Sequence, residues 1–156
     1  MSVILYKEVK GDLFKVDRTR WCLAHCISED VTATKNMNKG IAKLFRSEHP
    51  KMAAQIAPFL RVGKAIRYSE ENQTIYNLIS KRLVWQKAKG DYKPRYYQQL
   101  SDALNDMKDQ MVSNNELYLA MPRIASGLDG GNWEEIRRMI KNTFKNTMVE
   151  IQIRYL

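Results

Sequence analysis

The sequence predicts an α/β fold, a three-layer α/β/α sandwich with a central mixed sheet, and two observations lead to this prediction. Short apolar or alternating runs, typical of strands, take turns along the chain with segments whose apolar residues recur at helical spacing. The 156 residues contain no repeat, low-complexity tract or linker, so we expect one domain spanning 1–156. In sheets of this class, ligands bind beyond the carboxyl ends of the strands.

The first elements of the chain are two strands followed by a helix. Residues 3–9 alternate well enough for a strand. Residues 21–27 are short and almost wholly apolar, as expected of a strand that is covered on both faces. A helix is predicted to begin near Gly40, since apolar residues then recur at helical spacing, and to end before Pro50.

The middle of the chain is predicted to hold a short helical piece, two strands and a loop. The helical piece covers 53–60 and is interrupted at Pro58. Strands are expected at 62–68 and, with a clearer pattern, at 74–80. A basic loop follows at 81–94, with glycine and proline as its turn signals.

The last part of the chain is predicted as helix, strand, loop, helix and strand. These elements are expected at 96–112, 117–121, 122–131, 133–144 and 149–155. Asn132 is a suitable N-cap for the second of these helices, and the two glutamates that follow favour its first turn. The apolar positions that define the first helix are Tyr97, Leu100, Leu104, Met107 and Met111.

Composition narrows the possible classes of protein. The 26 Lys and Arg against 17 Asp and Glu give a net charge of +9, which favours polyanionic partners. No apolar stretch approaches the roughly 20 residues that span a bilayer, and the short N-terminal apolar run does not predict a secretory signal. Cys22 and Cys26 are expected to be reduced, which favours an intracellular protein, nuclear or cytoplasmic. With two histidines, no metal site or other cofactor is expected, and we expect a monomer.

The loop MPRIASGLDGGNW follows a strand and precedes a helix. Its small residues allow backbone N–H groups to approach a phosphate, and the helix N-terminus adds positive potential. The alternative is a tight turn that needs Gly127, Gly130 and Gly131 for their φ angles. Neither the Walker phosphate loop nor the dinucleotide-binding glycine motif is present.

Two other strand ends carry polar residues. Ser28 and Asp30 follow the strand at 21–27, either as site residues or as ordinary turn residues. His25 and Cys26 are adjacent in that strand and face opposite ways, so they do not form a joint site. Lys81 follows the strand at 74–80, either as an amine nucleophile, which must be neutral to attack, or as a solvated lysine.

The loop after Lys81 is both aromatic and basic. Trp85 and Tyr92 lie among lysines, which permits nucleic-acid contact by stacking and phosphate pairing. A solvated loop with one anchoring aromatic residue is the favoured interpretation, because the net charge also suits a ligand with two phosphates.

Six segments, in this order along the chain, together resemble the macro domain, an ADP-ribose-binding module, and within it the terminal ADP-ribose protein glycohydrolases. LAHCISED and MPRIASGLD are the most specific of them. The segments are GDLF at 11–14, LAHCISED at 23–30, KGIAKLF at 39–45, ISKR at 79–82, KPRY at 93–96, and MPRIASGLD at 121–129 with the following Trp133.

The resemblance implies a role for each matching position. Lys81 would be the catalytic lysine and Asp129 the catalytic carboxylate. Asp12 would bind the adenine amine beside the backbone of Leu13, and Leu156 would close over the adenosine side. The other implied ADP-ribose-binding residues are Ser28, Gly40 and Ile41, together with Arg123, Ile124, Ala125, Ser126, Gly127 and Leu128 around the diphosphate and distal ribose.

The resemblance implies removal of mono-ADP-ribose from acidic side chains of modified proteins, with ADP-ribose and ADP-ribosylated proteins as partners. The Lys81 amine would attack the anomeric carbon of the ring-opened sugar, and Asp129 would move protons and help water free the lysine. The alternatives are a reader that binds ADP-ribose without turnover, or a hydrolase of ADP-ribose 1″-phosphate or O-acetyl-ADP-ribose. The sequence departs from the family in the loop VTATKNMNKG, which looks longer and bulkier, and in the extended loop after Lys81.

Overall fold

The computed structural model describes residues 5–32, 35–37 and 39–156. Within them, six strands form one sheet in the order β1-β6-β5-β2-β4-β3. Neighbouring strands are parallel except for the antiparallel pair β3 and β4, so the predicted mixed sheet is confirmed. The strands are β1 Leu5–Lys10, β2 Cys22–Ser28, β3 Ala65–Glu70, β4 Gln73–Lys81, β5 Tyr118–Met121 and β6 Glu150–Tyr155.

Helices cover both faces of the sheet. The α-helices are α1 Gly40–Glu48, α2 Met52–Ile56, α3 Lys93–Ser113 and α4 Trp133–Phe144. Short 3₁₀ turns occur at Leu13–Lys15, Ala57–Phe59 and Gly90–Tyr92. Asn132 caps α4 as predicted, since its side chain accepts a hydrogen bond from the Glu135 N–H at 3.0 Å.

Two apolar cores lie on opposite faces of the sheet and confirm the three layers. Alternate residues of each central strand enter different cores: Ala24 packs toward α3 and α4, whereas Leu23 packs toward α1 and α2. Phe45 is the fully buried residue of α1. Strands buried on both faces read as continuous apolar runs, which explains the composition of β2.

Two expectations about the elements need correction, and part of a third is not tested. The strand predicted at 62–68 lies at 65–70, because a two-residue turn, Glu71-Asn72, with both φ angles positive, pairs Glu70 directly with Gln73. The loop predicted at 81–94 is shorter, since Pro94 starts α3, where a missing N–H costs nothing. Val3 and Ile4, the start of the predicted first strand, lie outside the described residues.

The first turn of α3 also holds a buried residue that the helical periodicity did not mark. Tyr96 is completely buried, whereas Tyr97 is only partly buried at the edge of the core. Tyr96 and Leu100 are four residues apart and therefore share one face of the helix. This places a phenol under the carboxyl end of β4.

The strand order brings the carboxyl ends of five parallel strands into one row. β5, β2 and β4 are neighbours in the middle of the sheet, and β6 and β1 continue the row on one side. The three loops expected to carry a site follow those three central strands. None of the described helices combines the length and apolarity needed to cross a membrane. The part of the chain that the structure describes holds no cluster of metal-ligating side chains.

His25 is buried in β2 and makes the stability of the fold sensitive to acid. Burial lowers its pKa to about 4, and the nearby His49 adds to this, although a hydrogen bond to Asn77 partly opposes the shift. The His25 Nε2 lies 2.7 Å from the Asn77 Oδ1, and the Asn77 amide nitrogen donates to the Ile66 carbonyl, so Nε2 is the donor. Nδ1 has no hydrogen-bond partner among the described residues, and the ring is therefore held neutral.

We predict that the free energy of unfolding falls as the pH drops from about 6.5 toward 4. The unfolded chain takes up a proton on His25 near pH 6.5 and the folded chain only near 4, so acid favours unfolding by on the order of 3 kcal/mol across this window. Urea denaturation of the wild type and of His25→Leu at several pH values measures the difference. Equal pH slopes for the two proteins would contradict the assignment, and Met148→Ala, which changes an exposed side chain and keeps both histidines, serves as the control.

Candidate functional site

Lys81 and Asp129 meet at the carboxyl edge of the sheet although they are 48 residues apart. Lys81 is the last residue of β4, and Asp129 lies in loop 122–131, between β5 and α4. The Lys81 Nζ is 2.6 Å from the Asp129 Oδ1, and both side chains are largely buried. The structure therefore contains the proximity that the sequence predicted for these two groups.

The Lys81 ammonium is fully engaged. Its Nζ donates to the Val84 carbonyl at 2.7 Å and to the Gln86 carbonyl at 3.1 Å, in addition to Asp129. These three acceptors match the three N–H groups of a lysine ammonium. As the structure stands, the amine is held as a charged donor and offers no lone pair.

Residues 82–89 form the loop that covers this pair, and we refer to it as loop 82–89. The Val84 N–H donates to the Asp30 Oδ2 at 3.2 Å, and the Ala88 N–H donates to the Asp129 carbonyl at 2.9 Å. The Lys87 Nζ donates to the Leu128 carbonyl at 2.6 Å. Loop 82–89 is thus anchored to both neighbouring loops of the site.

Tyr96 orients the Asp129 carboxylate. Its hydroxyl donates to the Asp129 Oδ2 and lies 3.2 Å from the Ser80 hydroxyl. Burial, together with the nearby Cys26 and Asp129, raises the pKa of Tyr96 well above its ordinary value, so the phenol remains a donor. One carboxylate oxygen is held by Tyr96 while the other faces Lys81.

The role of Tyr96 was missed by the sequence reasoning. Tyr96 belongs to the matching segment KPRY, which was noted without a role for the tyrosine. A usable signal was present, because Tyr96 lies four residues before the predicted inward Leu100. A tyrosine on a core face needs a partner for its hydroxyl, and the partner here is the candidate catalytic carboxylate.

Ser28 and its neighbours hold the strand ends together. A β-bulge after Ile27 pairs Ser28 with Lys81, so β2 and β4 end side by side. The Ser28 hydroxyl donates to the Asp30 Oδ1 at 2.5 Å, and Glu29 accepts the Val62 N–H at 2.7 Å. The alternative interpretation of Ser28 and Asp30 as turn residues therefore describes their contacts in this structure. His25 faces one core and Cys26 the other, as predicted.

Loop 122–131 has features of both a tight turn that needs glycine and a phosphate-binding loop, the two interpretations given by the sequence. The expectation that Gly127, Gly130 and Gly131 all need glycine φ angles is wrong: only Gly130 among them has a positive φ, of 71°, and Ala125 has a φ of 61°. Gly131 is required for space, since a Cβ there would lie 2.6 Å from the Ala125 carbonyl oxygen.

The same loop presents backbone donors. Within the described residues, no hydrogen bond uses the N–H of Gly127, Leu128 or Asp129. These donors precede the N-terminus of α4, which adds positive potential. This arrangement suits an anionic group such as a phosphate.

The remaining predicted residues of loop 122–131 differ in how they face a ligand. The side chain of Ile124 is buried in the core, so only its backbone is available. Arg123 stacks over the Tyr155 ring at 4.2 Å and lies 3.4 Å from Glu8, which ties the loop to β6 and β1. Ser126 donates to the Arg123 carbonyl at 2.7 Å.

The start of α1 closes on loop 122–131 from the opposite side. Gly40 has a φ of 61°, and a Cβ there would lie 3.1 Å from the exposed Leu128 side chain. Ile41, the next residue, is partly buried against the second core. The predicted residues Gly40, Ile41 and Leu128 are therefore neighbours. Residues 33, 34 and 38 of the loop that departs from the family lie outside the described residues.

Asp12 and Leu156 lie together at the other end of the row of strand ends. The Gly11 N–H donates to the Tyr155 carbonyl at 2.7 Å, which places the residues after β1 and β6 side by side. The Asp12 Oδ1 accepts the Phe14 N–H at 2.9 Å, so the exposed carboxylate has a fixed orientation. Leu13 is buried, whereas Leu156 is 90% exposed.

Comparison with known proteins gives consistent relatives at the level of sequence and of fold. No family model matches the chain. The ADP-ribose glycohydrolase OARD1 of Homo sapiens is 34% identical over 145 residues, which cover 93% of this chain and 88% of that protein. The Bos taurus protein of the same name is 33% identical with the same coverage.

Solved structures share the fold at lower identity. The macrodomain of Mycobacterium tuberculosis DarG superimposes with a TM-score of 0.78 at 20% identity, over 99% of each chain. Thermosipho africanus DarTG, solved in complex with ADP-ribose, gives a TM-score of 0.77 at 17% identity over 97% of this chain and 41% of that one.

We predict that two glycines of loop 122–131 differ sharply in their tolerance of a methyl group. Gly131→Ala forces a Cβ against the Ala125 carbonyl and the Ile136 side chain, and should lower the free energy of unfolding by about 1–3 kcal/mol. Gly127→Ala meets nothing within 4 Å and should change stability by less than about 0.5 kcal/mol. Denaturant midpoints of the two variants measure the difference, and equal losses would contradict the packing described here.

Proposed function

The chain belongs to the macro-domain family of the ADP-ribose glycohydrolase OARD1, and on this basis we propose that it binds ADP-ribose and hydrolyses its bond to acidic side chains of modified proteins. The activity for which the human and bovine relatives are named supports a glycohydrolase. The choice of a glutamate or aspartate ester as substrate is our own step. It rests on the chemistry of the lysine and carboxylate pair.

The observation that carries the proposal is the contact of 2.6 Å between the Lys81 Nζ and the Asp129 Oδ1. A nucleophilic amine needs a base that takes up its proton, and the base needs a fixed orientation. Asp129 lies within hydrogen-bond reach of Nζ, and Tyr96 holds its second oxygen. Lys81, Asp129 and Tyr96 therefore supply the three groups of an activated nucleophile: the amine, the base and the group that orients the base.

The ligand fits along the row of strand ends. Asp12 marks the adenine end, beside β1 and β6, and Lys81 marks the distal ribose end, after β4. We assign the diphosphate between these ends to the N–H groups of Gly127 to Asp129 on loop 122–131, which make no hydrogen bond within the described residues. This assignment places the anomeric carbon of the distal ribose next to the Lys81 amine.

The proposed reaction is two displacements at that carbon in the closed sugar ring, in place of the attack on a ring-opened sugar that the resemblance implies, because the carbon that bears the ester is the one from which the carboxylate leaves. A proton moves from Nζ to Asp129, and the nitrogen lone pair forms a bond to the anomeric carbon while the bond to the ester oxygen breaks and the protein carboxylate leaves. Asp129 passes this proton to the leaving carboxylate and then takes a proton from a water molecule, whose oxygen bonds to the anomeric carbon as the bond to Nζ breaks. Asp129 finally returns that proton to the released amine. One water is consumed, and the lysine is regenerated.

A second function is favoured by one observation. The three acceptors around Nζ hold Lys81 as an ammonium, and the Val84 and Gln86 carbonyls must release it before the amine attacks. A protein that keeps these contacts with ligand bound would recognise ADP-ribose without turning it over. The reader function is therefore the alternative that the test below must separate.

We predict that Lys81→Ala and Asp129→Ala each abolish release of ADP-ribose from a protein modified on acidic side chains. Lys108→Ala, a lysine of α3 paired with Asp109, is the matched control and should retain full turnover. Turnover is measured by loss of the ADP-ribosyl label. Undiminished activity in both site variants would refute the mechanism, and wild-type binding of ADP-ribose without turnover would establish the reader function. ADP-ribose 1″-phosphate and O-acetyl-ADP-ribose, assayed in parallel, identify a small-ester hydrolase.

We predict that Tyr96→Phe lowers kcat and leaves ADP-ribose affinity nearly unchanged. The substitution removes one donor to the Asp129 carboxylate and keeps the ring that packs in the core, so the base loses its fixed orientation. A charge-assisted hydrogen bond of about 1.5–3 kcal/mol corresponds to a loss of roughly 10- to 150-fold. Calorimetry with ADP-ribose and steady-state kinetics give the two quantities; a rise in KM with constant kcat would contradict this role.

A further inference from the structure

Loop 82–89 leaves three consecutive apolar side chains in solvent. Leu83 is 39% exposed, Val84 42% and Trp85 69%. The backbone of the same segment is held by two hydrogen bonds: the Val84 N–H donates to Asp30, and the Val84 carbonyl accepts from Lys81. The exposed side chains are therefore displayed by an anchored backbone.

The position of Trp85 is defined by its neighbours. The two carbonyls that accept from the Lys81 Nζ belong to Val84 and Gln86, the residues on either side of Trp85. Trp85 therefore lies in the chain between the two residues that hold the amine, and its side chain is exposed. In the proposed function, the bond between ADP-ribose and its acceptor is cleaved at this amine, so the acceptor lies close to this surface.

The basic residues near Trp85 are committed to contacts within the protein. The Lys87 Nζ is bound to the Leu128 carbonyl, Lys93 pairs with Glu135 at 3.3 Å, and the Lys89 side chain lies over Gly130. The Tyr92 hydroxyl is bonded to glutamine side chains of its own region. These contacts weaken the nucleic-acid interpretation of the loop, which needs lysines and an aromatic face presented together to a phosphate backbone.

Arg82 adds a positive charge at this surface. Its side chain is 70% exposed and lies 4.0 Å from Glu29. An apolar patch with one exposed guanidinium at its edge matches a polypeptide that offers apolar side chains beside carboxylates. Exposed tryptophan and arginine are also the residues that most often dominate protein–protein contacts.

We propose that Leu83, Val84 and Trp85, with Arg82 at their edge, form the docking surface for the polypeptide that carries the ADP-ribose. An apolar residue next to the modified acidic side chain packs on Trp85, and a further carboxylate of the same segment faces Arg82. This inference rests on the proposed function for the position of the acceptor. It adds a specificity determinant outside the ADP-ribose site.

The test compares Trp85→Ala with wild type in the full chain, on a modified polypeptide and on free ADP-ribose. We expect kcat/KM for an ADP-ribosylated peptide with a leucine beside the modified glutamate to fall about tenfold, with unchanged ADP-ribose affinity by calorimetry. Trp85→Phe should restore most of the loss. Met148→Ala, which removes an 82% exposed apolar side chain before β6, is the matched control and should behave as wild type.

A second arm changes the peptide. Replacing its leucine by serine should lower kcat/KM for wild type and have little further effect on Trp85→Ala, because the two changes remove one contact. Additive losses would overturn the proposal. Equal losses on the peptide and on ADP-ribose would also overturn it, since the loop would then only support the ADP-ribose site.

Two outcomes separate this proposal from its alternatives. If Trp85→Ala lowers kcat/KM only for an ADP-ribosylated single-stranded oligonucleotide and not for the peptide, the surface binds nucleic acid and the proposal is overturned. If wild type binds the modified peptide without cleaving it, the hydrolase function fails, and the same comparison is then made by calorimetry on the intact peptide. Tighter binding of the peptide than of ADP-ribose, lost in Trp85→Ala, would still support the docking surface.

Discussion

An ammonium and a carboxylate lie almost out of contact with solvent at the carboxyl edge of the sheet, and both must be satisfied by the protein. The effective cost of removing either charge from water is several kcal/mol, and one partner without the other would be strongly destabilising. Three acceptors surround the Lys81 Nζ, and Lys81 and Tyr96 donate to Asp129. Loop 82–89, loop 122–131 and the first turn of α3 are all positioned by this requirement.

The core of the fold was open to prediction because its signals are local. Apolar runs located all six strands to within a few residues, and periodicity together with Asn132 located α4 and its cap. The errors occur where a tertiary contact decides. The hairpin turn at Glu71-Asn72 sets the register of β3, and burial against the sheet selects Tyr96 rather than Tyr97.

The site was predictable only in part, for a similar reason. Parallel strands and their order bring Lys81 and Asp129 to one edge, and the resemblance to macro domains selected these residues among many loop residues. The backbone carbonyls of Val84 and Gln86 that hold Lys81 carry no sequence signal, because every residue has a carbonyl. Ser28 and Asp30 matched the family pattern, and in this structure their contacts connect strand ends and loop 82–89.

None of residues 82–87 belongs to either core; the segment is bonded to Lys81 at the end of β4, and Ala88, which follows it, is bonded to loop 122–131. Lengthening a surface loop of this kind adds little to the entropy of closing it. Evolution could therefore exchange this segment between relatives without refolding the domain beneath it. If the proposed function holds, such an exchange would alter the choice of modified target and leave Lys81 and Asp129 in place, in the way that antibody loops vary on a constant framework.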